Sequence, residues 1–227
     1  MNEKKVKELQ NEAKKFLTEK IIVLKGVTII PKEIEVYYYK EGEFEDKSVH
    51  RNELQKNNKN HFYVHRWGTN KGDKYKGSYY PGVDFVVSDD DATYYSYLIR
   101  SAVINGTPIY GPNNVLNEIK RVCCLEDNAE LEKQYIENKS CNIECKSIIY
   151  TQRYGLGNNV DDCFRKYKLR FVVLDKDFKN ARYQAKEQIV LDYLEQSKST
   201  KVKAETFCKD YMTYLPSKVK EYYANEI

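Results

Sequence analysis

KIIVLKGVTII (residues 20–30), followed after a short break by EIEVYYY (residues 33–39), is the stretch whose reading decides the fold. Both pieces are dominated by β-branched and aromatic residues, the composition of strands. Gly26 reads as a turn inside the first piece. Pro31, which has no N–H to give to a ladder, separates it from the second. Side chains alternate along a strand, so Glu33, Glu35 and Tyr37 share one face. Taken alone, EIEVYYY reads as an edge strand with a solvated glutamate face. Nothing in the alternation favours Glu35 over Glu33.

Upstream, Val6, Leu9, Ala13, Phe16 and Leu17 recur at helical spacing between lysines and glutamates, which predicts an amphipathic helix over residues 3–19. Downstream, residues 40–60 are charged and rich in Asn and read as a loop or short helix. HFYVHRW (61–67), GVDFVVS (82–88) and YYSYLIRSAVI (94–104) are strand candidates. A Gly/Lys-rich loop, GTNKGDKYKGS, follows the first, and the acidic turn DDDAT divides the other two. Asn105-Gly106 marks a further turn. Residues 111–121 open on Gly-Pro-Asn-Asn and place Val115, Leu116 and Ile119 on one helical face. Residues 128–140 are polar and helical in pattern. CKSIIYTQRYGLG (145–157) and KYKLRFVVL (166–174) predict two more strands.

From residue 178, Ala181, Ala185, Ile189, Leu191 and Leu194 suggest one long helix. A second is expected over Val202–Tyr214, and Pro216 opens a third. This order predicts an α+β single domain: an N-terminal helix and a strand-rich antiparallel centre within 1–177, and a C-terminal helical extension, 178–227, packed on the same domain.

Composition narrows the function classes. A chain of 227 residues can hold one full core. No apolar run reaches membrane-spanning length, and the opening MNEKKVKELQNEAKKF is too charged for a secretion signal, so a cytoplasmic protein without a membrane partner is expected. The net charge of +4 permits DNA without demanding it. The six cysteines form no CxxC pair and read as reduced thiols, so no metal and no cofactor are expected. The 21 tyrosines follow the same bias as the abundant Lys, Asn and Ile and carry no signal of their own. GxSxG, P-loop, HExxH and GxGxxG motifs are all absent.

What remains is a polar cluster in the first half: Glu33, Glu35, Tyr37, Asp46 and three histidines between 50 and 65. A carboxylate that can deprotonate water, a histidine and aromatic faces are the parts of a pocket that handles an extruded base.

Here the sequence resembles the alkyladenine (3-methyladenine) DNA glycosylases. EIEVY followed by EDKSVH is similar to the family's Glu-x-Glu-Ala-Tyr strand and the Asp and His of its next loop. The match continues in order over roughly residues 10–173. FLTEKIIVLKGVTI looks like the family's helix end and first hairpin. HFYVHRW, YLIRSA, YGPNNVLNEI, TQRYGLG and KLRFVV look like its later strands and its Gly-Pro helix start.

The resemblance implies a monomeric, monofunctional N-glycosylase of base-excision repair. It implies Glu35 as the water-activating carboxylate with Arg100 beside it, and Tyr37, His50, His65 and Asp84 around the base. The partner is DNA, and the product is an abasic site without strand cleavage. Arg66, Lys71, Lys74 and Lys76 flank this pocket as a phosphate-gripping rim, and Tyr79 or Tyr80 is the candidate wedge into the duplex. His65 departs from the family's second stacking tyrosine. Asp84 departs from its pocket asparagine and, as an acceptor only, suits a guanine 2-amino group. The alternatives are a non-catalytic modified-base or nucleotide binding protein on the same fold, an enzyme acting on an unusual base, and an interaction protein in which EIEVYYY is merely a strand.

Overall fold

The structure is a computed structural model, and it describes residues 2–77, 81–212 and 214–224. Helix α1 (Asn2–Glu19) buries the predicted stripe Val6, Leu9, Ala13, Phe16 and Leu17. Strands β1 (Lys20–Leu24) and β2 (Val27–Lys40) form a hairpin around Lys25 and Gly26, both with positive φ. β2 runs without interruption through Pro31, where two strands were expected. The ladder absorbs the missing donor with register shifts between Pro31 and Ile34.

β3 (Phe44–Glu45) turns back on the end of β2. β4 (Phe62–Val64), β5 (Val83–Val86) and β6 (Thr93–Ile104) follow as an antiparallel meander, and β7 (Thr107–Tyr110) closes a hairpin on β6. Asn105 and Gly106 both take positive φ there, the geometry their turn requires. Helices α2 (Pro112–Val122) and α3 (Asn128–Glu132) lead to β8 (Glu137–Ser140) and β9 (Ser147–Thr151). Helix α4 (Asp162–Lys166) precedes β10 (Arg170–Leu174), and α5 (Lys186–Gln196), α6 (Lys201–Tyr211) and α7 (Ser217–Ala224) complete the chain.

The sheet is antiparallel throughout its pairings. β2 lies at its centre. One edge of β2 is taken by β6 over nearly its whole length; the other is shared in turn by β1, β10 and β3. This excludes the edge-strand reading of EIEVYYY: Glu33 and Glu35 are both buried. One face of the sheet is apolar. Ile34, Val36 and Tyr38 of β2 meet Tyr95, Tyr97 and Ile99 of β6, and α1 seals them, with Phe16 at 4.8 Å from Tyr97 and 5.2 Å from Phe85. The opposite face carries Glu35, Tyr37, Ser96, Arg100, Asp84 and Arg170.

The C-terminal helices share an apolar cluster with β9 and β10, built on Ile149, Val172, Leu174, Ile189 and Leu194. The long helix expected from residue 178 begins only at Lys186. Residues 181–185 run irregularly across the polar face, ending on Ala185 at φ +53°. No described helix is long and apolar enough to cross a membrane.

Candidate active site

Glu35 sits at the middle of β2, opposite Leu98 on one side and Arg170 on the other, and is 0% exposed. A buried carboxylate needs partners for its charge and lone pairs. Oε1 is 3.2 Å from Arg100 Nη1 and accepts the backbone N–H of Tyr154 at 2.8 Å; Oε2 accepts the Tyr37 hydroxyl at 3.0 Å. Burial, and then the charge of Glu35, push the Tyr37 phenol well above its ordinary pKa, so it stays a neutral donor.

Glu33 lies on the other side of the same guanidinium. Its Oε1 takes Arg100 Nε at 3.1 Å and Arg170 Nε at 2.8 Å, and Oε2 takes the Ser101 hydroxyl at 2.7 Å. The register shift at Glu33 sets Arg100 between the two glutamates rather than opposite one of them. Gln184 completes the network, accepting from Arg100 through its side chain and from Arg170 through its carbonyl, the latter at 2.8 Å. The ring of Tyr154 faces both guanidiniums, 5.6 Å from Arg100 and 5.9 Å from Arg170. Tyr37 also lies against the Arg153 guanidinium, which is itself paired with Asp46 at 2.7 Å.

A second cluster occupies the same face. Asp84 and Glu35 both stand opposite Leu98, so they are two strand spacings apart, roughly 10 Å. His65 Nε2 is 2.7 Å from Asp84 Oδ1, while the Ser96 hydroxyl and the Gln55 amide donate to Oδ2 at 2.7 and 3.3 Å. Burial opposes ionisation of Asp84, but the charge and hydrogen bond of His65 and the Ser96 hydroxyl outweigh it and hold the carboxyl below its usual range.

The ring of His50 lies edge-on to His65 at 4.5 Å. His50 Nδ1 meets the Tyr63 hydroxyl at 2.9 Å, and Nε2 meets Lys76 Nζ at 2.7 Å. An ammonium only donates, so Nε2 is the bare nitrogen and Nδ1 carries the proton. Burial first, and then His65 and Lys76, depress the His50 pKa to about 3. Gly82 makes room for this arrangement: a Cβ there would come within 2.8 Å of His65 Cε1 and 2.9 Å of Leu98 Cδ1.

The expected residues therefore divide. Glu35, Tyr37 and Arg100 converge on one contact network, and His50, His65 and Asp84 form its neighbour. Asp84 does not present a free acceptor to a base; its oxygens are spent on His65, Ser96 and Gln55. Arg66 is not a rim residue. It is 5% exposed, its guanidinium grips Glu132 and donates to the Tyr75 hydroxyl at 2.7 Å, and it anchors the 65–77 arm. Lys71 and Lys74 are exposed as expected, whereas Lys76 is half-buried against His50. Tyr79 and Tyr80 lie outside the described residues. Trp67, which the sequence reading passed over, is 62% exposed on the same arm. Arg170, Tyr154 and Gln184 were also missed. Arg170 was detectable by the same signal as Arg100, an arginine inside an apolar strand.

A cavity of about 520 Å³ opens on the Glu33 side of Arg100, bounded by β7, the start of α2 and residues 182–184; Glu35 is not in its wall. Among the described residues no group of His, Cys, Asp and Glu is arranged to hold a metal ion. Compared with known proteins, the chain matches no family model and no curated protein sequence.

Proposed function

We propose that this chain is a DNA glycosylase that hydrolyses the N-glycosidic bond of an alkylated or otherwise modified purine extruded from DNA, with Glu35 activating the water. The observation that carries the reading is convergence. Glu35, Tyr37 and Arg100, singled out by an ordered resemblance across distant segments, meet in one buried network, with a histidine pair beside it on the same sheet face.

A buried carboxylate can both aim a water and stabilise an oxocarbenium-like sugar, and Arg100 supplies its counter-charge and orients it. Tyr37 hydrogen-bonds Glu35 and covers Oε2. In this reading it must swing off the carboxylate as base and water enter, and its ring then becomes a face for the base. Asp84 acts through His65, which it holds by Nε2, rather than by touching the base.

The test is base release from alkylated duplex DNA. Glu35→Gln keeps the volume and the acceptor for Tyr154 N–H but removes the charge, and is expected to lower release at least a hundredfold. Equal rates for variant and wild type would remove Glu35 from the chemistry. The complete enclosure of Glu35 also favours a second reading, a non-catalytic modified-base or nucleotide binding protein on this fold. Tight binding of the modified oligonucleotide with no release by the wild type selects it.

A further inference from the structure

The cavity on the Glu33 side of Arg100 has no role in the chemistry above. Its walls are of two kinds. Pro108, Ile109 and Pro112, with Tyr110, give an apolar side; Arg182 and Gln184, with the edge of Arg100, give a polar one. Two guanidiniums there face a single carboxylate, and that carboxylate, Glu33, is already satisfied by Arg100, Arg170 and Ser101.

Arg182 differs from every other arginine in the network. Among the described residues it has no ion pair and no hydrogen bond; the Tyr110 phenol across the cavity feels its charge, and feels those of Asp177 and Asp175 more strongly. The side-chain carbonyl of Gln184 is committed to Arg100, which leaves its NH2 as a donor. The volume lies within the range of small-molecule sites. An unpaired planar guanidinium beside an amide donor suits a phosphate, and the apolar side suits a flat ring.

We propose that this cavity binds a nucleotide, its phosphate on Arg182 and its base or sugar against Tyr110, Ile109 and Pro112. The nucleotide has two possible sources: the neighbour of an extruded nucleotide in a DNA strand, which rests on the glycosylase reading, or a free mononucleotide, which does not.

The experiment is calorimetric titration of the full chain with deoxyadenosine monophosphate and with deoxyadenosine, for wild type and Arg182→Ala. Arg182 is exposed, so its truncation leaves the fold intact. The monophosphate is expected to bind about tenfold or more tighter than the nucleoside, and Arg182→Ala to erase that difference while leaving nucleoside binding unchanged. Equal affinities for the two compounds, or a monophosphate affinity indifferent to Arg182, overturn the proposal.

Saturating duplex DNA distinguishes the sources. Displacement of the monophosphate supports a strand-borne nucleotide, and undisturbed binding supports a free one. Base release is measured in parallel. Phosphate-dependent binding without release defeats the glycosylase reading alone, and release without phosphate-dependent binding defeats this one alone.

Discussion

His50 should be an acid-labile point in the fold, and the size of the effect follows from its surroundings. Its folded pKa is depressed from 6.5 to about 3 by burial, His65 and Lys76. The unfolded chain therefore binds a proton near pH 6.5 that the folded chain refuses. Stability is unaffected above that pH and falls as pH drops through the window from 6.5 towards 3. At pH 4 the loss relative to pH 7 is about 3 kcal/mol, from about 1.4 kcal/mol per pH unit. Urea unfolding of wild type and His50→Gln at pH 7, 5.5 and 4 measures it. The variant cannot titrate at this position, so its pH slope should be shallower by about that amount, with the groups remote from His50 cancelling in the difference. Lys76→Met should raise the His50 pKa and flatten the wild-type slope. Nitrogen chemical shifts should report a bare Nε2 at pH 6. Identical slopes for wild type and His50→Gln, or a His50 ring that titrates near 6.5, would refute the reasoning.

Three further outcomes follow from packing. Gly82→Ala should force His65 off Asp84, because its Cβ would meet both that ring and Leu98; it should destabilise by about 1–3 kcal/mol, and an unchanged urea midpoint would contradict it. Glu132→Gln strips the buried Arg66 of its counter-charge and should cost about 3–5 kcal/mol, with proteolysis of the 65–77 arm as the direct readout; an arm that stays as resistant as wild type would count against it. Phe16→Ala empties the contact with Tyr97 and Phe85 and should cost about 3–5 kcal/mol by thermal unfolding; a loss below 1 kcal/mol would mean that α1 does not seal that face.

The apolar framework was legible because its signal is local. The α1 stripe, β6, the Asn105-Gly106 turn and the Gly-Pro start of α2 each follow from residues a few positions apart. β8 was not legible: Glu-Asn-Lys-Ser has no strand character, and it is extended because it pairs with β1. The long C-terminal helix was over-read because Ala181 and Ala185 fit its period, whereas the intervening residues are drawn out over Arg100 and Arg170. Among the site residues, the choice of Glu35 came from resemblance, not from alternation. Arg66 was misassigned because a charge in sequence looks solvated until its partner is known, and Glu132 lies far along the chain. Spacing likewise gave no hint that Lys76 would end on His50.

The polar face is assembled from pieces around residues 35, 100, 154, 170 and 184, so its order of formation is constrained. The Arg100 contacts come with the β2–β6 pairing, whereas the Arg170 contact closes a much longer loop. While β2 and β6 are paired but residues 154–184 are still undocked, Glu33 and Glu35 share one guanidinium between them. The second, from Arg170, arrives only with the far part of the chain. The polar centre of this sheet should therefore be complete only once its C-terminal third has docked, and a ribosome-bound chain that stops short of Gln184 should hold the hairpins without the centre they are built to enclose.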